Sequence, residues 1–468
     1  MENSKRARRG KPRKQPRGNT YVEPKVVSQG LERVREAARR DSGIRFTNLL
    51  HHVTVELLEE AYYALNRKAT PGVDGVTWSE YGKGLEARLR DLHGRVHRGA
   101  YRAQPSKRTY ITKEDGRLRP LGIAALEDKI VQQAVVWVLQ AIYEEEFLGF
   151  SYGFRPRRSQ HNALDAIWVA IMQRKVSWVL DADIRGFFDS ISHEWMEKFV
   201  GHRIGDGRIL RLIHKWLTAG VSEDEEWSGT VVGTPQGATI SPLLSNIYLH
   251  YVLDLWVEAW RKSRARGEVY IVRYADDFVM GFQYRADAEA FHQALGERMQ
   301  KFGLELNEEK TRLIEFGRFA AENRAKRGEG KPETFEFLGF THICARRCKD
   351  GRFTVRRKTI AKRLRKKVRG ITQELKWKRH APVPEQGKWL RSVVRGYFQY
   401  HAVPGNGQAL VRFKKLVERA WLRALRRRSQ KGRGLTWARM RKLLDSWIPR
   451  VKILHPYPNQ RLCVSNPR

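Results

Sequence analysis

The chain has 468 residues, 41% of them hydrophobic and 10% aromatic, enough for two or three packed units around a sizeable core. Its 90 Lys and Arg against 51 Asp and Glu give a formal charge of +39, far beyond what solubility requires, so a polyanionic partner is implied, nucleic acid first. No apolar run nears the ~20 residues that span a bilayer and no signal-type apolar segment opens the chain, so no membrane partner is expected; three cysteines, Cys344, Cys348 and Cys463, suit a reducing compartment better than a disulfide framework.

Residues 1–30 read as a disordered basic arm, with eight Lys and Arg in the first 18 positions and almost nothing apolar. From Phe46 to Gly99 the spacing of Val55, Leu58, Ala61, Tyr62 and Leu65 is helical, followed by a turn at PGVDG. Tyr110 to Ile123 reads as a hairpin turning at Asp115-Gly116. Leu126 to Tyr143 predicts an amphipathic helix whose buried face carries Ile130, Ala134, Trp137, Val138 and Ala141. Residues 150–345 alternate strands and helices, with a strand at Ser177–Asp183, a helix near His193, a helix over Ser241–Trp256, and a closing strand at Phe335–Cys344. Composition then shifts: between Arg356 and Lys442 there are 28 Lys and Arg against three acidic residues. Two apolar stripes at helical spacing, Ile360-Leu364-Val368-Ile371-Leu375 and Leu410-Phe413-Leu416-Val417-Ala420-Trp421-Leu425, mark helices that pack on one side and carry cations on the other. So skewed a balance favours a nucleic-acid surface over a merely solvated one.

Chemistry concentrates in VYIVRYADDFVMGF, where apolar and β-branched residues run up to Tyr274 and resume at Phe278, with Ala275, Asp276 and Asp277 at the turn. Two adjacent carboxylates stay ionised comfortably only beside cations, which predicts hard divalent ions with oxygen ligands, Mg²⁺ being the natural choice. A solvated Asp-Asp turn is the ordinary alternative. A second acidic element stands in VLDADIRGFFDSI, where Asp181 and Asp183 share a strand face and Asp183 could complete a metal cage; Asp189 or Ser192 could instead cap the following helix. Between them, GTPQGATISPLLSNIYL brings small residues and Gln236 to a helix start, allowing a close approach by a base pair or a backbone.

The segments DADIRGFFDSI, GTPQGATISPLLSN and YADDF resemble, in order and spacing, the A, B and C motifs of reverse transcriptases. The wording is similar to that of group II intron-encoded reverse transcriptase/maturases of bacterial type, and YITKEDGRLRPLGIAALEDKIVQQAV, FLGFSYGFRPRRSQHNAL, GLELNEEKTRLIEF and FEFLGFTH agree. The resemblance covers roughly residues 45–345, and WLRSVVRGYFQYHAVPGN and HPYPNQR resemble the family's thumb, or maturase, region. It implies an α+β right-hand polymerase fold, with fingers and palm over 31–345, an α-helical basic thumb over 346–450 and a C-terminal tail over 451–468.

By resemblance, Asp183, Asp276 and Asp277, with the carbonyl of Ile184, would hold two Mg²⁺ ions for RNA-directed DNA synthesis. Phe188 aligns with the bulky gate against a ribose 2′-hydroxyl, while Phe187 is expected in the core. Lys113 and Arg119 resemble the fingers residues that grip the triphosphate, Gln236 a contact to nucleotide and template, and Lys310 a lysine near the pyrophosphate, a solvated helix charge being the alternative. Arg155 in GFRP either contacts template or braces the fingers. Lys362, Arg363, Arg365, Lys366, Lys367, Arg369, Arg391 and Arg395 are expected to bind nucleic acid, and the interspersed Trp377, Trp389, Tyr397, Trp421 and Trp437 to lie mostly in the core. The implied partners are group II intron RNA, an RNA template with a DNA primer, dNTPs and a DNA target, with a homodimer among the open assemblies and a bacterial cytoplasmic location, at the nucleoid during mobilisation. The endonuclease segment of some relatives is not expected here, so a primer would come from elsewhere, such as a nascent strand at a replication fork. A retron-like or diversity-generating reverse transcriptase, a splicing-only maturase and an RNA-templated RNA polymerase remain the alternatives.

Overall fold

The computed structural model of the protein describes residues 29–112, 118–223, 226–229, 232–234 and 237–465. Residues 1–28 of the expected basic arm, the Asp115-Gly116 turn, Lys113 and Gln236 lie outside the described residues, and the arm's last two residues, Gln29 and Gly30, open a helix instead. The described residues divide into two compact units: one holds those up to 338 together with 342–355 and 458–465, the other 339–341 with 356–457.

The first unit opens with helices Gln29–Arg40, Val55–Ala64 and Leu85–His97. Strands β1 (Ser106–Thr112) and β2 (Leu118–Ile123) then pair antiparallel in the register Thr112↔Leu118, forming the expected hairpin. The next helix, Leu126–Glu146, departs from the amphipathic expectation. Val131, Val135, Val136, Leu139 and Ile142 are buried along with the expected face, and Gln132, Gln140 and Asp128 with them. A helix apolar all round belongs in a core, and two of its buried polar positions find partners: Gln132 Oε1 accepts the Thr239 N–H at 3.0 Å, and Asp128 Oδ2 the Gln104 N–H at 3.0 Å.

After helix Gln160–Gln173 comes β3 (Trp178–Ala182), then helices His193–Arg203 and Gly207–Thr218 and the short strands β4 (Val221–Glu223) and β5 (Glu226–Ser228). Ser192, not Asp189, caps the His193 helix, its hydroxyl accepting the Trp195 N–H at 3.3 Å. The segment expected as one helix over Ser241–Trp256 is an α-helix over Ser241–Leu249, a π-helical turn over His250–Asp254, and a second α-helix over Leu255–Ser263. Strands β6 (Val269–Tyr274) and β7 (Asp277–Phe282), helix Arg285–Lys301 and β8 (Arg312–Glu315) complete the central sheet, whose order is β6-β7-β3-β8. Helices Gln160–Gln173 and Arg285–Lys301 pack on it, the latter driving Phe291 into the core 5.5 Å from the Phe282 ring.

The single strand expected over Phe335–Cys344 is two, Phe335–Phe337 and Phe340–Arg346. Leu338 and Gly339 both take positive φ, +45° and +83°, and two left-handed residues in a row cannot continue a strand. The stretch expected as a C-terminal tail ends in a helix, Pro458–Ser465, which packs on Gln160–Gln173 through an Arg461 Nε to Asp165 Oδ2 bond of 2.5 Å.

The second unit is helical: Ala361–Trp377, Val383–His401, Gly407–Arg426 and Trp437–Trp447. Its core gathers Leu364, Ile371 and Leu375 from the first stripe with Leu410, Phe413, Val417 and Trp421 from the second. Trp421 is wholly buried and satisfies its indole N–H on Gln386 Oε1 at 3.0 Å. Among the described residues no helix is long and apolar enough to cross a membrane.

Candidate active site

The central sheet brings the two acidic segments together. β3 pairs with β7 from Trp178↔Phe282 to Ala182↔Phe278, and one further step of that register sets Asp183 opposite Asp277. β6 and β7 close at Tyr274↔Asp277, so the turn is Ala275-Asp276 alone and Asp277 already belongs to β7. A two-residue hairpin loop requires φ > 0 at its first position. Ala275 supplies it with φ +57°, buried and without the freedom of glycine. All three aspartates therefore stand at one end of one sheet.

Their electrostatics follow from that crowding. Burial pushes the Asp276 carboxyl up and the Asp183 charge adds to the shift, while Arg119 and Arg273 pull it back. Asp183 Oδ2 accepts from Lys310 Nζ at 2.6 Å and from Asn307 Nδ2 at 3.2 Å. Lys310 lies in the turn before β8 rather than on a helix, which removes the solvated-helix alternative. Asp181, sharing the face, is pushed up to about 6 by burial, Arg312 pulling it back and the Asp183 charge adding a smaller push upward. Around Ile184 the ladder runs through its neighbours, Arg185 N–H to Glu305 O and Asn307 N–H to Asp183 O, both at 2.8 Å, so the Ile184 carbonyl lies outside it. Among the described residues no three carboxylate, imidazole or thiolate groups are already gathered as a metal cage. The donor chemistry nonetheless fits a hard cation: the carboxylate oxygens of Asp183, Asp276 and Asp277, with the Ile184 carbonyl as a further oxygen donor, Lys310 now pairing with Asp183.

Phe187 is buried, as expected, and Phe188 half-buried, their rings 5.4 Å apart. The Phe188 carbonyl accepts the Thr234 N–H at 2.8 Å, and Gly233, at φ +94°, lies so close that a Cβ there would be 3.1 Å from the Phe188 and Asp189 carbonyls. The candidate gate is thus pinned by the small-residue loop expected to meet the nucleotide. The same loop touches the hairpin, since a Cβ on Gly237 would lie 2.8 Å from the Gly122 carbonyl of β2. Arg119, exposed on β2, stands within electrostatic reach of Asp276.

Residues 111–342 match the reverse transcriptase (RNA-dependent DNA polymerase) family. Protein YkfC of Escherichia coli (strain K12) is 34% identical over 324 residues, covering 62% of this chain and 84% of YkfC. The group II intron-encoded protein LtrA of Lactococcus lactis subsp. cremoris is 34% identical over 242 residues, half of this chain (50%) and 40% of LtrA. A 91 kDa protein in the cob intron of Schizosaccharomyces pombe is 42% identical over 154 residues, covering 33% of this chain and 19% of that protein. The chain belongs to the group II intron reverse transcriptase/maturase family. It spans most of YkfC and less than half the length of the two intron proteins.

Within this reverse transcriptase, two of the expected nucleic-acid contacts are used internally. Arg155 is buried: its Nε meets Glu144 Oε2 at 3.0 Å and its Nη1 donates to the Leu148 and Ser151 carbonyls, both at 2.9 Å. It braces the segment and is not a template contact. Arg391 stacks on the Trp447 ring at 5.0 Å and donates to the Ser446 and Trp447 carbonyls, fixing the end of the last thumb helix. By contrast Lys362, Arg363, Arg365, Lys366, Lys367, Arg369 and Arg395 are exposed. The thumb aromatics divide: Tyr397 and Trp421 are buried and Trp389 half-buried, whereas Trp377 and Trp437 are 72% and 45% exposed. The sequence reading missed a polar group beneath the hairpin, Asn246, Asp254 and Arg273, all buried. The available signal was an arginine inside the apolar run YIVRY and an aspartate inside VLDLW, charges that need each other once buried.

Proposed function

We propose that this reverse transcriptase extends a DNA primer on an RNA template and binds the RNA of a group II intron, assisting its splicing and mobility. The observation that carries the reading is the β3–β7 ladder, which ends at Ala182↔Phe278 and so leaves Asp183, next after β3, at the same end of the sheet as Asp277, which opens β7 beside the Asp276 turn. Two Mg²⁺ ions held by Asp183, Asp276, Asp277 and the Ile184 carbonyl would supply Lewis-acid activation of the primer 3′-hydroxyl and neutralise the triphosphate. The bond made joins the primer 3′-oxygen to the nucleotide α-phosphorus; the bond broken releases pyrophosphate, and the hydroxyl proton passes to solvent.

The chain's own residues orient that exchange. Arg119 grips the triphosphate from the fingers hairpin, its planar fork matching phosphate oxygens. Lys310, able to leave Asp183 when cations arrive, steadies the pyrophosphate. Phe188, pinned by Thr234, stands where a 2′-hydroxyl would collide, which favours deoxynucleotides. The exposed cations of the Ala361–Trp377 helix follow the RNA backbone.

Primer extension with Mg²⁺ and dNTPs, run alongside RNA binding, tests the proposal. D276A/D277A should abolish extension while leaving RNA affinity within about twofold, because phosphate contacts of the thumb dominate binding. Persisting synthesis in that variant would remove these residues from catalysis. A wild-type chain that binds intron RNA without extending primers would favour a splicing-only role.

A further inference from the structure

The left-handed Ala275 is held from below by a set of buried side chains that no part of the chemistry above uses. Arg273, wholly buried in β6, forks onto Asp254, with Nε to Oδ1 at 2.7 Å and Nη2 to Oδ2 at 2.5 Å. Its remaining Nη1 donates to two acceptors, the Asn246 side-chain oxygen at 3.0 Å and the Ala275 carbonyl at 3.1 Å. Asn246 in turn donates its Nδ2 to the Gly153 carbonyl at 2.7 Å. Gly153 lies so close behind the turn that a Cβ there would be 2.2 Å from the Ala275 nitrogen. Backbone bonds close the ring, Tyr152 N–H to Arg273 O at 2.8 Å and Arg273 N–H to Phe150 O at 2.9 Å.

Asp254 is the last residue of the π-helical turn His250–Asp254. A π-turn widens a helix by one residue and so shifts every side chain after it around the axis, and such turns are frequent at functional sites. The neighbouring His250 is driven down to about 4, by burial first, so it is neutral near pH 7 and leaves Arg273 as the counter-charge of Asp254.

We infer that Arg273, Asn246 and Asp254 form a positioning clamp, which fixes the Ala275 carbonyl, holds the turn in its left-handed conformation and thereby sets the directions of Asp276 and Asp277. None of the three touches substrate. The charge pair alone needs only Asp254 and any cation; the clamp needs the guanidinium fork, because one planar group must reach a carboxylate, an amide and a backbone carbonyl together. The alanine turn is tolerated because those contacts over-determine it.

The inference rests on the polymerase reading for its kinetic consequence but not for its structural one, and the test uses both. R273K keeps a cation against Asp254 and loses the fork; N246A removes the amide and leaves no charge unpaired. In each full-length variant, hydrogen exchange should quicken in peptides covering 274–278 while the rest of the palm stays as protected as in wild type. In primer extension, kcat should fall about 100-fold for R273K and about tenfold for N246A, with KM for dNTP changed by less than about threefold, since misplacing reacting groups by ~1 Å weighs on the chemical step. Unchanged exchange at 274–278 in N246A, or wild-type kcat in a folded R273K, overturns the clamp. If R273K does not fold, N246A decides. If the wild-type chain extends no primer, the polymerase reading fails, while hydrogen exchange still judges the clamp.

Discussion

The palm and the thumb of this protein use arginine in opposite ways. In the fingers and palm, Arg273 and Arg155 are buried against Asp254 and Glu144, and each spends its remaining donors on backbone carbonyls or an amide. In the thumb, Arg365, Arg369 and Arg395 sit on helices whose other faces carry the core, and are exposed. The difference is one of desolvation. A buried guanidinium must have its charge and its fork matched within the fold, whereas an exposed one keeps its hydration and can exchange it for phosphate. Palm cations therefore hold shape, and thumb cations are available for affinity.

Breaking one of these buried pairs should have the largest effect. Arg155→Ala leaves Glu144 without its partner, and should lower stability by ~3–5 kcal/mol in chemical denaturation, without flattening the salt dependence of RNA binding. A variant as stable as wild type would show that Arg155 is not a brace. Neutralising exposed thumb cations should do the reverse. Lys366→Gln with Arg369→Gln should reduce the slope of log K against log salt by ~1.4–1.8, between the single-strand and duplex limits for two phosphate contacts, and leave the melting temperature in place; an unaltered slope in filter binding would mean that these two face only water.

The third prediction asks whether palm burial also shapes the response to acid. Asp206 is buried, which by itself pushes its carboxyl up, but Arg208 and the N–H groups of Leu49, Leu50 and Arg208 bring it down to about 2. A depressed folded pKa contributes stability that is fully present above the unfolded value near 4 and is lost as pH falls through the folded value. Asp206 should therefore contribute ~2 kcal/mol at pH 7 that declines between about pH 4 and 2. Comparing wild type with D206N across that window should bring the two curves together at its acid end, and a constant gap would assign the difference to packing.

Much of this molecule was legible in the chain. The strand at Ser177–Asp183, the aspartate hairpin and the two thumb stripes all follow local periodicity, which depends on neighbours in sequence and survives without a partner. The Leu126–Glu146 helix was misread because its valines and glutamines look like a half-exposed face until elements from elsewhere in the chain cover them. The break at Leu338-Gly339 was missed because nothing local demands left-handed backbone at a leucine.

Sequence by itself determined the charge, the motif order and the spacing of the acidic segments, because these are properties of composition and spacing. Only the tertiary structure decided which cations are spent inside, that the β3–β7 ladder brings Asp183 to the end of the sheet where Asp277 stands, that Thr234 pins Phe188, and that a clamp of Arg273, Asn246 and Asp254 stands under the turn. Burial and hydrogen-bond partners are set by residues far apart in the chain, and an arginine reads the same in sequence whether it will face a phosphate or an aspartate.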